Sequence, residues 1–272
     1  MRTELRTRCR TFLLFCGLLA PLVGLVAGAV APTPGVTPDR HKPAVMATVK
    51  LPGSLTRNSD ALVREVLIEH NAVFHGNQAL KQIALTFDDG PHPGFTPQIL
   101  AILQQYNVKA SFFLVGMKAM QAPDLVRAIF DAGHGIGNHT FHHPRLPTIS
   151  PQEMAQELRL CGEALQAITG EYPHYFRPPG GRVDAEVLKV AESRGYSTIM
   201  WSISPADIKH TSPERILQIV TKQAHNGAII LLHDGVPETI AVLPQLIIAL
   251  KAKGYQFVTI DTLLQENTVL KR

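Results

Sequence analysis

Two adjacent carboxylates, Asp88 and Asp89, follow a short apolar and β-branched run at 83–86 and precede a Gly90-Pro91 turn. The run is typical of a buried strand, and Gly-Pro is typical of the turn after it. Carboxylates at such a position need a cation, a proton or hydrogen bonds, because a low-dielectric surrounding disfavours a bare charge. The alternative is a solvated turn, since Asp, Gly and Pro are also common turn residues.

A second polar stretch, HTFHH at 139–143, contains two histidines four residues apart. This spacing places His139 and His143 on one face of a helical turn. Neutral imidazoles together with a carboxylate form a ligand set for zinc, although cobalt, nickel or manganese also accept it. His134 and His142 are weaker candidates, because an isolated histidine is usually structural or exposed.

The elements that must position these residues are strand-like and helix-like runs that alternate along the chain. The predicted strands are 83–87, 110–115, 134–138, 174–177, 197–202, 228–232 and 256–260. The predicted helices between them are 96–106, 124–132, 150–168, 185–194, 212–225 and 238–253. This alternation predicts an α/β fold of right-handed βαβ units with a parallel sheet and outer helices. Seven strands suit a distorted (β/α) barrel one unit short of eight, with an open doubly wound sheet as the alternative.

Two helix starts carry specific capping signals. Thr96 precedes a proline and is predicted to be an N-cap residue. Ser150 also precedes a proline, and Glu153 stands at the third helical position, as in a capping box.

Ionisable residues follow nearly every predicted strand. They are Asp88-Asp89, His139–His143, Arg177, Asp207 and His233-Asp234. In parallel α/β folds, functional groups collect where the strands end. We therefore expect these side chains to converge at one end of the sheet.

Four of these stretches, taken in order, resemble the motifs of the polysaccharide deacetylases, the NodB-homology or carbohydrate esterase family 4 group. They are TFDDGP at 86–91, HTFHH at 139–143, RPPGG at 177–181 and LLHD at 231–234. The resemblance covers about residues 81–264, which is nearly the whole predicted exported domain.

The resemblance implies a role for each matching residue. Asp88 would be the general base, Arg177 would pair with and orient it, and His233 would be the general acid. These roles suit amide hydrolysis, because water must lose a proton and the leaving amine must gain one.

The resemblance also implies that Asp89, His139 and His143 hold one divalent metal ion, with zinc expected. Such an ion lowers the pKa of bound water and polarises the acetyl carbonyl. The backbone N–H near Gly180 would add a donor for the oxyanion.

The sequence departs from the family pattern at two places. Gly180 stands where many members have Tyr, so a side chain that could shape the sugar site is missing. In the stretch after the fifth strand, Ser204 replaces the acid thought to tune the catalytic histidine, and Ile208 replaces a Trp, while Asp207 remains. We expect the histidine to rely on another partner. Asp207 and Trp201 are grouped with Gly180 as substrate-site residues, although a lone Trp at a strand end is more often a core residue.

Composition and charge exclude few classes of protein. The chain has 272 residues, 45% hydrophobic and 18% charged, with a formal net charge of +4. Arginines at positions 2, 6, 8 and 10 account for that excess, so the body is close to neutral and no nucleic-acid partner is expected. Cys161 is the only cysteine after residue 16, so the body has no intrachain disulfide.

The N-terminus indicates export. Residues 1–31 combine the basic start with an uncharged apolar run and small residues near its end, which predicts a signal peptide or a membrane anchor. Residues 32–60 are a Pro-rich linker, 61–80 an N-terminal extension and 81–272 the predicted catalytic domain. Membrane contact is expected only through the N-terminal segment.

The sequence therefore predicts an exported, metal-dependent hydrolase that removes N-acetyl groups from an amino-sugar polysaccharide of peptidoglycan or chitin type. Its partner is a carbohydrate polymer. Two alternatives stay open: an O-acetyl esterase using the same site, and a catalytically silent sugar-binding module.

Overall fold

The computed structural model describes residues 49–50 and 72–268. The predicted leader (1–31), nearly all of the predicted linker (32–60) and the extension up to residue 71 lie outside them, so the predicted domain boundaries stay predictions. No helix within 49–50 and 72–268 combines the length and the hydropathy needed to cross a bilayer.

Nine strands form two sheets in these residues. They are β1 (Val49–Lys50), β2 (Gln82–Gly90), β3 (Ser111–Leu114), β4 (Gly135–Asn138), β5 (Tyr175–Phe176), β6 (Arg182–Val183), β7 (Ser197–Thr198), β8 (Ala228–His233) and β9 (Gln256–Phe257). The main sheet has seven strands in the order β7-β5-β4-β3-β2-β8, with β9 also paired to β2. Every pair in it is parallel, which confirms the predicted parallel sheet. β1 and β6 form a separate antiparallel pair.

The sheet approaches a barrel without a continuous hydrogen-bond ladder around it. In the described part of the chain, β7 and β8 at the two ends of the order share no ladder, and one parallel bridge joins Ile203 to Ile230. Nearer the amino-terminal ends of β7 and β8, Val73 pairs with Ile199, and His75 pairs with the first residue of β8. Residues 73–75 thus lie in the seam between the two strands.

The two faces of β2 have different surroundings, and this difference places the polar end of the strand. Ile83, Leu85 and Phe87 belong to the large core cluster shared with the helices. Ala84, one position out of phase, packs in a different cluster with Phe113 of β3. Successive side chains of a strand point to opposite faces, so the residues two and four positions after Ala84 face the same way as Ala84. These residues are Thr86 and Asp88.

Eight helices surround the sheet in the described residues. They are α1 (Thr96–Gln105), α2 (Gly116–Gln121), α3 (Pro123–Asp131), α4 (Pro151–Thr169), α5 (Ala185–Ser193), α6 (Pro213–Gln223), α7 (Pro237–Ala252) and α8 (Ile260–Thr268). Six of them were predicted, whereas α2 and α8 were not. Ile260 begins α8, so the prediction of a last strand reaching 260 was wrong at its end.

The capping prediction was right for α4 and wrong for α1. Ser150 accepts the Glu153 N–H at 3.3 Å, and the Glu153 carboxylate accepts the Ser150 N–H at 2.8 Å. Thr96 is instead the first residue of α1, and its buried hydroxyl donates to Asp234 Oδ2 at 2.5 Å. Its oxygen accepts the N–H of His92 at 2.7 Å, so the hydroxyl bonds to a residue before the helix and to one 138 residues away in sequence, and it caps no N–H of α1.

One glycine of β4 is required by close packing. A Cβ built at Gly137 would lie 2.5 Å from the Phe113 ring of β3, its neighbour in register.

We expect Gly137→Ala to lower the free energy of unfolding by about 1–3 kcal/mol, because the added methyl group would clash with the buried Phe113 ring. Denaturant unfolding measures this loss. The matched control is Gly94→Ala, whose Cβ would lie 3.7 Å from its nearest neighbour and should change stability by less than about 0.5 kcal/mol. Equal stability of both variants would contradict the packing.

Candidate active site

The strand register brings most of the predicted residues together. Asp88 lies opposite His233 in the β2–β8 pair. Asn138, the last residue of β4, pairs with Phe176 of β5, so the two residues that follow them are neighbours. His139 and Arg177 therefore leave adjacent strand ends. The convergence expected from the sequence is present at this end of the sheet.

Arg177 fixes the first aspartate. Its Nη1 donates to Asp88 Oδ1 and to Thr86 Oγ1, both at 2.7 Å. Asp88 is 3% exposed and Arg177 is fully buried. A charge-assisted bond in such a dry surrounding holds one carboxylate oxygen firmly. The other oxygen, Oδ2, lies 3.9 Å from His139 Nε2 and faces the rest of the site.

The remaining donors of Arg177 are also used. Nε donates to the Ile199 carbonyl and Nη2 to the Met200 carbonyl, each at 3.1 Å. The guanidinium lies 4.1 Å from the centre of the Phe113 ring. Burial lowers the pKa of Arg177, while Asp88 acts in the opposite direction. A guanidinium nevertheless stays protonated in proteins, so the pair is ionic.

Asp89 faces a different set of partners. Its backbone is left-handed, with φ 71°, and its carbonyl accepts a hydrogen bond from Lys118 Nζ at 2.7 Å. Its Oδ1 lies 3.3 Å from His139 Nε2 and 3.0 Å from His143 Nε2. Burial alone would raise the pKa of Asp89, but the two histidines outweigh burial and lower it below its ordinary range.

The tautomer of His139 makes this cluster suitable for a cation. His139 Nδ1 lies 2.7 Å from the Arg177 carbonyl, which can only accept, so Nδ1 carries the hydrogen. In the neutral ring, Nε2 then presents a lone pair to the Asp89 carboxylate. Two acceptors facing each other need a positive charge between them, and this arrangement is common for histidines that bind metals.

The donor geometry fits a divalent metal ion. One donor atom from each of Asp89, His139 and His143 lies within 4.8 Å of the others, and this is the one such group in residues 49–50 and 72–268. Two imidazole nitrogens and one carboxylate oxygen are ligands that zinc accepts, with coordination positions left for water and substrate.

The turn that carries the two histidines is not the predicted helical turn. Residues 139–143 are irregular, and Thr140 (φ 67°) and His143 (φ 60°) are left-handed. The Asn138 side chain accepts the Thr140 N–H at 2.8 Å, as in an Asx turn. The prediction that the rings of His139 and His143 meet was right, but the helical reason for it was wrong. Their ring centres are 5.0 Å apart.

Glu157 of α4 anchors this turn and was missed in the sequence. Its Oε2 accepts the N–H groups of Phe141 and His142 at 3.0 and 2.7 Å. Its Oε1 lies 2.7 Å from His142 Nδ1. His142 is thereby turned away from the three metal-ligand candidates. No local sequence pattern indicates Glu157, because its partners lie 15 and 16 residues earlier in the chain.

His233 is held by Asp207. The His233 ring Nδ1 lies 2.8 Å from Asp207 Oδ1, and its backbone N–H donates to Oδ2 at 2.7 Å. Thr239 also donates to Oδ2 at 2.7 Å. Burial alone would lower the pKa of His233, but the hydrogen bond and charge of Asp207, with the charges of Asp88 and Asp89, raise it to about 9.

This geometry corrects the grouping of Asp207 with the substrate-site residues. Asp207 is fully buried behind the His233 ring, so it has no surface to offer a sugar. It is the partner for the histidine that the sequence left unidentified. Ala206, left-handed at φ 57°, turns the chain just before it, and no hydrogen bond joins Ser204 to His233 among the described residues.

The third motif turns directly after Arg177, and Gly180 is its one exposed residue. Gly180 is exposed and left-handed, with φ 61°, and a Cβ at Gly181 would lie 2.5 Å from the Trp201 ring. Trp201 is half-buried and packs with the interior cluster of Ala84. Trp201 thus has a packing role, and its contact with a sugar stays a prediction.

His134, a weaker metal-ligand candidate in the sequence, lies outside the site. His134 is buried at the opposite end of β4, where its Nδ1 accepts the Ala110 N–H at 3.2 Å. Burial, helped by the charge of Lys109, lowers the pKa of His134 to about 4, so it is a neutral structural histidine.

Thr86 was missed as an Arg177 partner, although its position two residues before Asp88 on one strand could have indicated it.

Comparison with known proteins gives consistent matches. A family model described as polysaccharide deacetylase matches residues 75–199. A peptidoglycan-N-acetylglucosamine deacetylase of Bacillus cereus is 40% identical over 190 residues, which are 68% of this chain and 89% of the relative. The peptidoglycan-N-acetylglucosamine deacetylase PgdA of Listeria monocytogenes is also 40% identical, but the match spans only 39% of that longer protein.

Solved structures share the fold. The family 4 carbohydrate esterase PdaA of Bacillus subtilis superposes with a TM-score of 0.70 at 36% identity, covering 76% of this chain and 90% of PdaA. BA3943 of Bacillus anthracis, described as a family 4 pseudoenzyme, gives a TM-score of 0.67 at 33% identity, covering 71% and 68% of the two chains.

The resemblance predicted from four short motifs is therefore confirmed over most of the described chain. A relative that is 40% identical across 89% of its own length shares ancestry as well as architecture. This chain belongs to the polysaccharide deacetylase family, carbohydrate esterase family 4.

Proposed function

We propose that this protein is an exported, metal-dependent deacetylase that hydrolyses N-acetyl groups of an amino-sugar polysaccharide, with peptidoglycan as the substrate class. The observation that carries the proposal is the cluster of Asp89, His139 and His143, with their donor atoms within 4.8 Å. Asp88 and His233 stand beside it at paired strand positions. The names of the similar Bacillus and Listeria deacetylases support peptidoglycan.

Asp88 acts as the general base. When bound, a divalent cation polarises the acetyl carbonyl and activates water for attack. Arg177 holds Asp88 Oδ1, so Oδ2 is the oxygen available to take the proton from that water. The ion pair fixes the orientation of the Asp88 carboxylate before substrate arrives.

His233 acts as the general acid. Its Nδ1 carries a hydrogen because Asp207 is a carboxylate acceptor, so Nε2 is the atom that delivers a proton to the leaving amine nitrogen. The raised pKa, about 9, keeps the ring protonated at neutral pH. The exposed amide of Gly180 supplies a backbone donor toward the oxyanion.

Two alternatives share this site. An O-acetyl esterase would use the same groups, because both reactions pass through a tetrahedral oxyanion. A silent sugar-binding module is the second candidate, favoured by the similarity to a described pseudoenzyme. Acetate release from N-acetylated and O-acetylated glycans, with and without added metal, separates the three.

Export rests on the sequence of residues 1–31, with its basic start and uncharged run. Expression of the full chain in a bacterial host, followed by cell fractionation and N-terminal sequencing, tests it. We expect the protein outside the cytoplasmic membrane, starting after residue 29 or 31 if cleaved and at its own N-terminus if anchored. Recovery of the full chain from the soluble cytoplasm would contradict export.

The two adjacent aspartates should separate by experiment. Asp89→Asn replaces a charged ligand and should reduce zinc affinity at least about tenfold, because a neutral amide oxygen attracts the cation less strongly than a carboxylate oxygen. Asp88→Asn should leave zinc bound and lower kcat at least about a hundredfold, because the base is gone. Zinc titration and acetate release measure the two effects.

The matched control for this pair is Asp124→Asn, an exposed acid in the first turn of α3, which should change neither quantity. An Asp88→Asn enzyme with full kcat, or an Asp89→Asn enzyme with unchanged zinc affinity, would show that the roles are wrong.

The pH dependence should reveal the partner of His233. The general acid must be protonated, so activity falls as pH rises through its pKa. Asp207→Asn removes the negative charge that raises this pKa, and the alkaline limb of the kcat/KM profile should move to lower pH. Both enzymes must carry the same metal, since a nearby cation also lowers the pKa of His233. An alkaline limb that stays in place would refute this pairing.

A further inference from the structure

The third motif leaves a space that another side chain fills. Gly180 has no side chain, and a Cβ built on it would lie 3.2 Å from Arg182 Nη1 and 3.6 Å from Arg182 Cζ. The guanidinium of Arg182 therefore covers the position over Gly180 that a larger residue would occupy. Among the motif residues, Gly180 is also the one whose amide is proposed to face the oxyanion.

The charge of Arg182 is not balanced within the described part of the chain. No ion pair, hydrogen bond or ring contact of its side chain occurs among residues 49–50 and 72–268, although its backbone pairs with Lys50. The acid nearest in sequence, Asp184, is occupied elsewhere, because it caps α5 and its Oδ1 accepts the Val187 N–H at 2.9 Å. Arg182 is partly exposed, so its guanidinium can reach a ligand.

The carboxylates of the site have other cations. Asp88 is paired with Arg177, all of whose donor nitrogens have partners. Asp89 faces His139 and His143. The two arginines of this segment thus differ. Arg177 is buried and hydrogen-bonded, whereas Arg182 is half-exposed and its side chain is unpaired within the described residues.

Packing and backbone hydrogen bonds hold the turn that precedes Arg182. Gly181 lies against the Trp201 ring, where a Cβ would approach it to 2.5 Å, and its N–H donates to the Pro178 carbonyl at 2.9 Å. Arg182 begins β6, which pairs with β1. The backbone of Arg182 is therefore held at this turn, and its Nη1 lies 3.2 Å from the position that a Cβ on Gly180 would take, beside the amide proposed to face the oxyanion.

We propose that Arg182 recognises a carboxylate on the glycan next to the acetamide being hydrolysed. The inference rests on the proposed function and narrows its substrate class to N-acetylated glycans with acidic substituents, such as the lactyl ether of muramic acid, over neutral chitin-like chains. A guanidinium suits this role because its planar fork matches a carboxylate in two parallel hydrogen bonds.

The experiment compares two forms of one substrate with the metal-loaded full chain. Peptide-free glycan strands containing N-acetylmuramic acid are used with free carboxylates, or after conversion of the carboxylates to methyl amides. We expect kcat/KM for acetate release to favour the free carboxylate about tenfold, since one well-placed charged pair is worth about that factor. The preference should fall as salt is raised, because the charge of Arg182 is only partly shielded from solvent.

Three variants locate the preference. Arg182→Gln should abolish it by lowering kcat/KM on the free-carboxylate strands alone, and Arg182→Lys should retain part of it. Arg194→Gln, at an exposed arginine after α5, is the matched control and should leave both rates unchanged. Equal loss on both substrates in Arg182→Gln would show that the side chain only fills space, and an unchanged preference would place recognition elsewhere. Both results overturn the proposal.

A binding measurement keeps this proposal separate from the proposed function. The Asp88→Asn variant is titrated with both strand forms, and the same tenfold ratio is expected in Kd, with its loss on adding Arg182→Gln. Absence of acetate release from any strand would overturn the deacetylase proposal but not the subsite. Equal Kd for the two strand forms would overturn the subsite even where acetate is released.

Discussion

The buried pair of Arg177 and Asp88 is the interaction on which this site depends. Taking both charges out of water costs several kcal/mol per ion, and Arg177 offsets that cost only by using every donor nitrogen it has. Its contacts reach β2, the segment after β7 and the Phe113 ring of β3. Truncating either side chain to alanine would leave the other charge buried with no partner in its place and destabilise the fold by about 3–5 kcal/mol. The carboxylate proposed as the general base is thus fixed by the same contacts that hold the end of the sheet together.

Two neighbouring carboxylates acquire different chemistry from this arrangement. Asp88 continues the strand, so its side chain points to the interior, where Arg177 lies. Asp89 adopts a left-handed backbone with its carbonyl held by Lys118, which turns its side chain toward His139 and His143. Arg177 also orients His139 by accepting from Nδ1 through its carbonyl. One arginine therefore orients the proposed base with its side chain and a metal-ligand candidate with its backbone.

Most of the fold was predictable from local patterns, and most of the errors came from contacts between distant parts of the chain. Strand runs such as 83–87 and the capping box of Ser150 are local signals, and the structure retains them. Thr96 carries a capping signal too, but its hydroxyl accepts the His92 N–H and donates to Asp234 from across the fold. The six residues of α2 are too few to show a helical period, so sequence periodicity could not detect that helix. In the site, too, local motifs were predictable and long-range contacts were not. Asp207 reaches His233 through the left-handed backbone of Ala206 and the packing of α7, so the sequence did not identify it as the partner of that histidine.

The proposed chemistry depends above all on a single divalent ion bound between Asp89, His139 and His143. Anomalous diffraction at the zinc edge, from crystals of the zinc-loaded protein, tests it most directly. We expect one peak about 2.0–2.2 Å from a carboxylate oxygen of Asp89 and from both Nε2 atoms, with Asp88 outside the coordination sphere. The absence of a peak there, or a peak held by other side chains, would contradict the claim.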